Sequence, residues 1–141
     1  MPKKVIVDSG YWMALYKPDD GYHNNAVIIN EYLPLHNIII PWPSLYEYLN
    51  TKFFKQPDAI RLFKKTIILP NIEKLPDCKY RETALSNFFD SFNLGRRLSL
   101  VDLVIREMIL DESIKIDNLV TFNGKDFDDA CAKRGIEMFS G

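Results

Sequence analysis

Short runs of apolar residues alternate along the chain with longer stretches in which apolar positions recur at helical spacing. Val5-Ile6-Val7 is a β-branched run ending at Asp8, the pattern of a strand buried on both faces. Residues 9–16 read as a short helix closed by Lys17-Pro18, with a turn at Asp19-Asp20-Gly21. An amphipathic helix over 23–33 puts Ala26, Ile29 and Leu33 on one side, and residues 37–40 form a second buried strand. Pro41-Trp42-Pro43 stops that strand, and Ser44 is placed to cap a helix reaching about Phe54. Pro57 opens another helix with 58–65 as its body. Residues 66–69 are read as a third strand, stopped by Pro70. A helix over about 78–93 carries Leu85, Phe88, Phe89 and Phe92 on its apolar side, and Gly95-Arg96-Arg97 breaks it. The pattern then gives a helix over 99–111, a strand over 119–122, a turn at Asn123-Gly124 and a short helix over 126–133. After Gly135, residues 136–139 make a last, edge strand.

Strands separated by helices imply βαβ units, hence a parallel sheet with helices on both faces. In such sheets ligands collect beyond the carboxyl ends of the strands. The length of 141 residues fits one domain spanning 1–141 and is enough to bury a core without disulfides. Apolar residues at 47% and charged residues at 26% are a globular balance. The net charge of −1 argues against a dedicated duplex-DNA binder, which would carry a basic excess. It leaves room for an enzyme that meets RNA through a metal site. Cys78 and Cys131 stand in no metal-ligand spacing and read as reduced thiols of a cytoplasmic protein. The apolar stretch after Lys4 is too short for a secretion signal, and no run approaches a membrane span.

Four acids fall where a parallel sheet would gather them. Asp8 follows the first strand, Glu47 sits in the first turn of the helix after the second, Asp102 in the first turn of the helix begun by Ser99, and Asp126 shortly after the strand over 119–122. Clustered carboxylates repel one another unless a cation sits among them. Hard cations such as Mg²⁺ and Mn²⁺ prefer oxygen ligands, and such an ion can acidify water and neutralise a phosphate. The pattern therefore suits phosphodiester hydrolysis. A second reading stays open for three of the four. Ser44 with Glu47, and Ser99 with Asp102, both fit a capping box, and Asp126 can cap its own helix. Asp8 is harder to explain that way, because an acid ending an apolar strand is costly to bury without a partner.

The same segments resemble the PIN-domain family, in its VapC-type toxin branch. Val5-Ile6-Val7-Asp8-Ser9 is similar to the family's opening strand, acid and hydroxyl, and His23 to Ala26 to its H-x-x-A element. Pro43-Ser44-Leu45-Tyr46-Glu47 and Leu98-Ser99-Leu100-Val101-Asp102 look like the segments bearing the second and third acids. Thr121-Phe122-Asn123-Gly124-Lys125-Asp126-Phe127 is similar to the C-terminal T-x-N/D-x-x-D-F stretch. The resemblance implies a three-layer α/β/α sandwich with a central, mostly parallel sheet, and a Mg²⁺- or Mn²⁺-dependent endoribonuclease. It makes Asp8, Glu47 and Asp102 metal ligands, with Asp126 the fourth catalytic acid. Ser9, Thr121 and Asn123 support them, Asn123 standing where many relatives have Asp. It also implies a homodimer, an RNA substrate and a cognate antitoxin whose tail enters the acidic groove, which Tyr11, Trp12 and Tyr16 can help to form, although at least two of the three read more readily as core residues.

Arg96 and Arg97 can grip an RNA phosphate, or be a solvated pair at a helix end. Lys52, Lys55, Arg61, Lys64 and Lys65 read as a charged helix face more readily than as an RNA track, and His23 as a packing or hydrogen-bonding residue. His36 falls in a loop with no evident partner. Within the fold, the rival is a catalytically silent PIN domain that binds RNA or a protein, which Asn123 favours slightly. A phosphoaspartyl enzyme would want a second Asp where Gly10 stands, and a receiver domain would want an acid pair at the first strand.

Overall fold

The computed structural model describes residues 1–50, 55–91 and 98–140. Strand β1 (Lys4–Val7) leads into helices α1 (Ser9–Tyr16) and α2 (His23–Asn30). Strand β2 (Asn37–Pro41) leads into α3 (Trp42–Leu49) and α4 (Pro57–Ile67), and β3 (Ile72–Leu75) precedes α5 (Arg81–Asp90) and α6 (Leu100–Leu110). Strand β4 (Asn118–Val120) is followed by a 3-10 turn (Gly124–Asp126), α7 (Asp128–Arg134) and β5 (Glu137–Phe139). The sheet order is β3-β2-β1-β4-β5, and every neighbouring pair is parallel.

Alternation along the strands splits the core in two. Val5, Val7, Ile38, Ile40 and Val120 face α1 to α4, whose Tyr11, Trp12, Ile29, Leu45, Tyr48 and Phe63 cover them. Ile6, Ile39 and Leu119 face the other way, onto Ala84 of α5, Ile105, Met108 and Ile109 of α6, and Ala130 and Cys131 of α7. Successive side chains of a strand point to opposite faces, so a strand covered on both sides must be apolar throughout. This is why the central strands carry no polar alternation, and it makes the molecule an α/β/α sandwich. Tyr11 and Trp12 are core residues and Tyr16 is half-buried, so this aromatic run mainly packs. Cys78 is exposed, Cys131 is buried, and both are free. No described helix is long and apolar enough to cross a membrane.

The elements differ from expectation in four places. Residues 66–69 are not a strand. Ala59, Phe63 and Ile67 recur every four residues, so Ile67 completes the inner stripe of α4, and the Thr66 hydroxyl donates to the Leu62 carbonyl at 3.1 Å. The third strand is Ile72–Leu75 instead, an edge strand whose Glu73 and Lys74 are exposed. The inner side of α5 carries the buried Ala84 and the partly buried Phe88, in line with its buried N-cap Tyr80, while Leu85 and Phe89 point outward. Phe92 lies outside the described residues. The helix over 23–33 ends at Asn30, whose carbonyl could take no N–H from Pro34, and Leu33 is buried in a 3-10 turn (Leu33–Leu35). Finally, α3 starts two residues before Ser44. Pro41 is its N-cap, Pro43 opens it, and the buried Ser44 hydroxyl has no hydrogen-bond partner.

Candidate active site

The chain proceeds from β1 to β2 to β3 on one side of the sheet and then crosses to β4 on the other. The topological switch therefore lies between β1 and β4, and the residues just past those strands are Asp8 and Thr121. Asp8 extends the ladder by one step, its N–H donating to the Val120 carbonyl at 3.0 Å. Its buried carboxylate then caps α1, accepting the Ser9 N–H at 2.7 Å, and accepts the Thr121 hydroxyl at 3.2 Å. Thr121 in turn accepts the Asn123 N–H at 3.0 Å, which fixes the start of the turn after β4. Asn123 thus joins this network through its backbone, with its residue exposed.

Glu47 reaches the centre from α3, where its carboxylate accepts a hydrogen bond from the Ser9 hydroxyl. Glu47 is the sixth residue of α3 and past its first turn, so the capping-box reading of Ser44 and Glu47 is overturned. The corresponding reading of Ser99 holds. Ser99 is the N-cap of α6 and its hydroxyl accepts the Asp102 N–H at 3.1 Å. Asp102 thus lies in the first turn of the capped helix. Asp126 ends the 3-10 turn, and α7 begins two residues later with Phe127 as N-cap, so Asp126 does not cap that helix.

The acids bear on one another through their charges. Burial pushes the Asp8 carboxyl up to about 6, and the charges of Asp102 and Glu47 add to the rise against the Ser9 and Thr121 hydrogen bonds. Asp102 is also raised, first by burial, with Asp126 and Glu47 contributing and Ser99 opposing. A carboxyl raised by neighbouring acids prefers a cation or a proton beside it. The donor set, all carboxylate oxygen, fits a hard divalent ion. As placed, however, no three acidic, His or Cys side chains among the described residues are arranged to hold a metal, with Glu47 committed to Ser9. The residues fit such an ion in chemistry without forming a finished cage.

Arg106 escaped the sequence reading. It stands one helical turn after Asp102 on α6 and donates to the Asp126 carbonyl at 2.8 Å, while pairing with both oxygens of Asp129 at 2.7 Å. Its spacing of four residues from Asp102 was the available signal. Arg96 and Arg97 lie outside the described residues, as does Lys52. Arg61 pairs with Asp58 at 3.0 Å on the exposed face of α4. His23 donates from Nδ1 to the Ala14 carbonyl at 2.8 Å and ties α2 to α1. His36 does have a partner, accepting the Lys3 N–H at 3.0 Å. Beside Glu47 a largely apolar groove of about 680 Å³ opens between α3, α5 and α6, lined in part by Pro43, Tyr46, Leu85, Leu100, Val101 and Val104.

No family model matches the chain, and no curated protein matches it. Solved structures do. The chain is similar to Mycobacterium tuberculosis VapC20, a sarcin-ricin loop cleaving toxin, at 20% identity and a TM-score of 0.70, over 89% of this chain and 94% of that one. It is also similar to FitAcB from Neisseria gonorrhoeae, at 14% identity and a TM-score of 0.64, over 96% of each. A third match is VapBC2 from Rickettsia felis, solved bound to a DNA fragment from their promoter, at 14% identity and a TM-score of 0.56, over 96% and 98%. At these identities the likeness speaks for the fold, and it agrees with the strand order and two-sided helix cover described above. The chain has the PIN-like α/β/α fold found in VapC structures.

Proposed function

We propose that the chain is a Mg²⁺- or Mn²⁺-dependent endoribonuclease, the toxin of a toxin–antitoxin pair, with its centre at Asp8, Glu47, Asp102 and Asp126. The observation that carries this reading is a buried carboxylate, Asp8, at the topological switch, raised partly by the charges of Asp102 and Glu47. A structural acid at a strand end needs no second acid beside it, and here two more bear on the same point. The likeness to VapC20, described as a sarcin-ricin loop cleaving toxin, supports RNA as the substrate.

In this reading Asp8, Glu47 and Asp102 hold the ion, which supplies an acidified water and a counter-charge to the phosphate. Asp8 is the central ligand because the Ser9 N–H and Thr121 hydroxyl fix its carboxylate from two sides. Ser9 acts on two acids at once, through its N–H on Asp8 and its hydroxyl on Glu47. Asp126 adds negative charge that Asp102 feels, and Asn123 holds the turn that carries it. Polar groups that orient metal ligands in this way commonly control affinity and rate. The reading extends to a cytoplasmic homodimer and to a cognate antitoxin, and the apolar groove beside Glu47 gives a protein partner a surface close to the acids.

Purified protein incubated with total cellular RNA in Mg²⁺, Mn²⁺ or EDTA, beside Asp8→Asn, tests the proposal. The expected result is discrete fragments that need both the metal and Asp8, with the substitution lowering the rate roughly 100-fold or more while the protein stays folded. The alternative is a silent domain that binds RNA or a protein, favoured by the commitment of Glu47 to Ser9 and by Asn123. Absence of cleavage by folded, inhibitor-free protein with either ion selects that alternative.

A further inference from the structure

The Arg106 side chain is only 17% exposed, yet among the described residues its hydrogen bonds reach no carboxylate of the centre. Its Nη1 donates to the backbone carbonyl of Asp126 at 2.8 Å, and its fork takes both oxygens of Asp129 at 2.7 Å each. The planar fork matches a carboxylate in two parallel bonds, a geometry a lysine cannot reproduce. Asp129 answers strongly, its carboxyl held well below the usual range by the Arg106 hydrogen bonds. The charges that Arg106 feels are those of Asp129, Glu107 and Asp128.

We propose that Arg106 is a positioning residue: with Asp129 as its counter-ion it holds the Gly124–Asp126 turn against α6 and so sets the spacing of the Asp126 and Asp102 carboxylates. The geometry has three parts. Arg106 and Asp102 share one helix, four residues apart, so the strut and the acid move as one body. Within the turn, the Asp126 N–H donates to the Asn123 carbonyl and the Phe127 N–H to the Gly124 carbonyl, both at 3.0 Å. The bond from Arg106 ties the Asp126 main chain to α6, beside the buried Phe127 that packs in the same core. Arg106 bonds the carbonyl and not the carboxylate of Asp126, and that carboxylate bears on Asp102. Asp129 meanwhile takes up the guanidinium charge, so a cation is not placed among acids whose work depends on negative charge. The inference rests on the proposed role of the acidic centre.

The test compares Arg106→Lys, Asp129→Asn, Asp126→Asn and the double variant Arg106→Lys/Asp126→Asn, with Asp8→Asn as control. Cleavage is split into kcat and KM, Mn²⁺ binding is measured by calorimetry, and thermal midpoints are recorded. Arg106→Lys is expected to lower kcat roughly 10-fold and to weaken Mn²⁺ binding, with KM little changed. Asp129→Asn is expected to do the same, more weakly, because the fork loses its counter-ion. The double variant should be no worse than Asp126→Asn alone, since Arg106 acts through Asp126. Losses that multiply in the double variant, or a drop in thermal midpoint with kcat and Mn²⁺ binding intact, would make Arg106 a merely structural residue and overturn the inference. Full activity in Asp126→Asn alongside an inactive Asp8→Asn overturns it while leaving the proposed nuclease standing. Full activity in Asp8→Asn removes the centre itself, and the positioning role with it.

Discussion

At Asp8 two demands oppose each other. The N-terminus of α1 favours a charged acceptor, and the Ser9 N–H and Thr121 hydroxyl supply bonds to it. Burial and the neighbouring Asp102 and Glu47 disfavour the same charge, and they win, raising the carboxyl from 3.8 to about 6. The consequence for stability has a definite sign. The unfolded chain ionises Asp8 near pH 4 and the folded chain near 6, so between those values the folded state holds the extra proton. Stability from this group therefore falls as pH rises through that window and levels off above it. A shift of this size corresponds to about 2–3 kcal/mol in metal-free protein. Urea unfolding in EDTA at pH 4 and pH 7 measures it as the difference between wild type and Asp8→Asn. The substitution should gain relative to wild type as pH rises, and parallel profiles would show that Asp8 is not raised.

Among the elements, two near-identical phrases in the sequence meet opposite fates. Ser44-Leu45-Tyr46-Glu47 and Ser99-Leu100-Val101-Asp102 both spell a capping box. Ser99 caps α6, whereas Pro43 has already opened α3 ahead of Ser44 and leaves that hydroxyl buried without a partner. Ser99→Ala should therefore cost about 1 kcal/mol of unfolding free energy. Ser44→Ala should cost nothing or stabilise, since it deletes an unsatisfied buried hydroxyl. Denaturant midpoints of the two variants check this, and an equal loss in both would reject the assignment of caps. The same contrast shows what could be read in advance. Central strands, apolar because both faces are covered, were legible, and so was the place of Asp8 at the end of β1, whereas Ser9 and Thr121 were singled out through the family resemblance, and β4 ends at Val120, one residue before Thr121. Edge strand β3 was not, because half its residues face water, and in the run read as a strand in its place Ile67 belongs to the helical stripe of α4. Nor was the Arg106–Asp129 pair, whose partners are 23 residues apart and meet only once α6 and α7 are packed.

For the molecule as a whole, the sheet order explains why a costly centre can persist. Putting β1 in the middle, with β2 and β4 on either side, anchors Asp8 between two strands whose side chains fill both cores. The stability of those cores supports a cluster of like charges that local structure alone would not hold together. A ligand that binds only the folded state adds RT ln(1 + [L]/Kd), about 2.7 kcal/mol at a concentration 100 times Kd. If the acids hold a divalent ion, Mn²⁺ should raise the thermal midpoint of the wild-type protein by several degrees, and EDTA should reverse it. The gain should be largest above pH 6, where Asp8 is ionised and its repulsion from Asp102 and Glu47 is greatest. It should be small in Asp8→Asn, which lacks both the central ligand charge and the repulsion the ion would relieve. A midpoint indifferent to Mn²⁺ at pH 7 would show that the cluster holds no such ion, and a shift of equal size in Asp8→Asn would place the ion elsewhere on the chain.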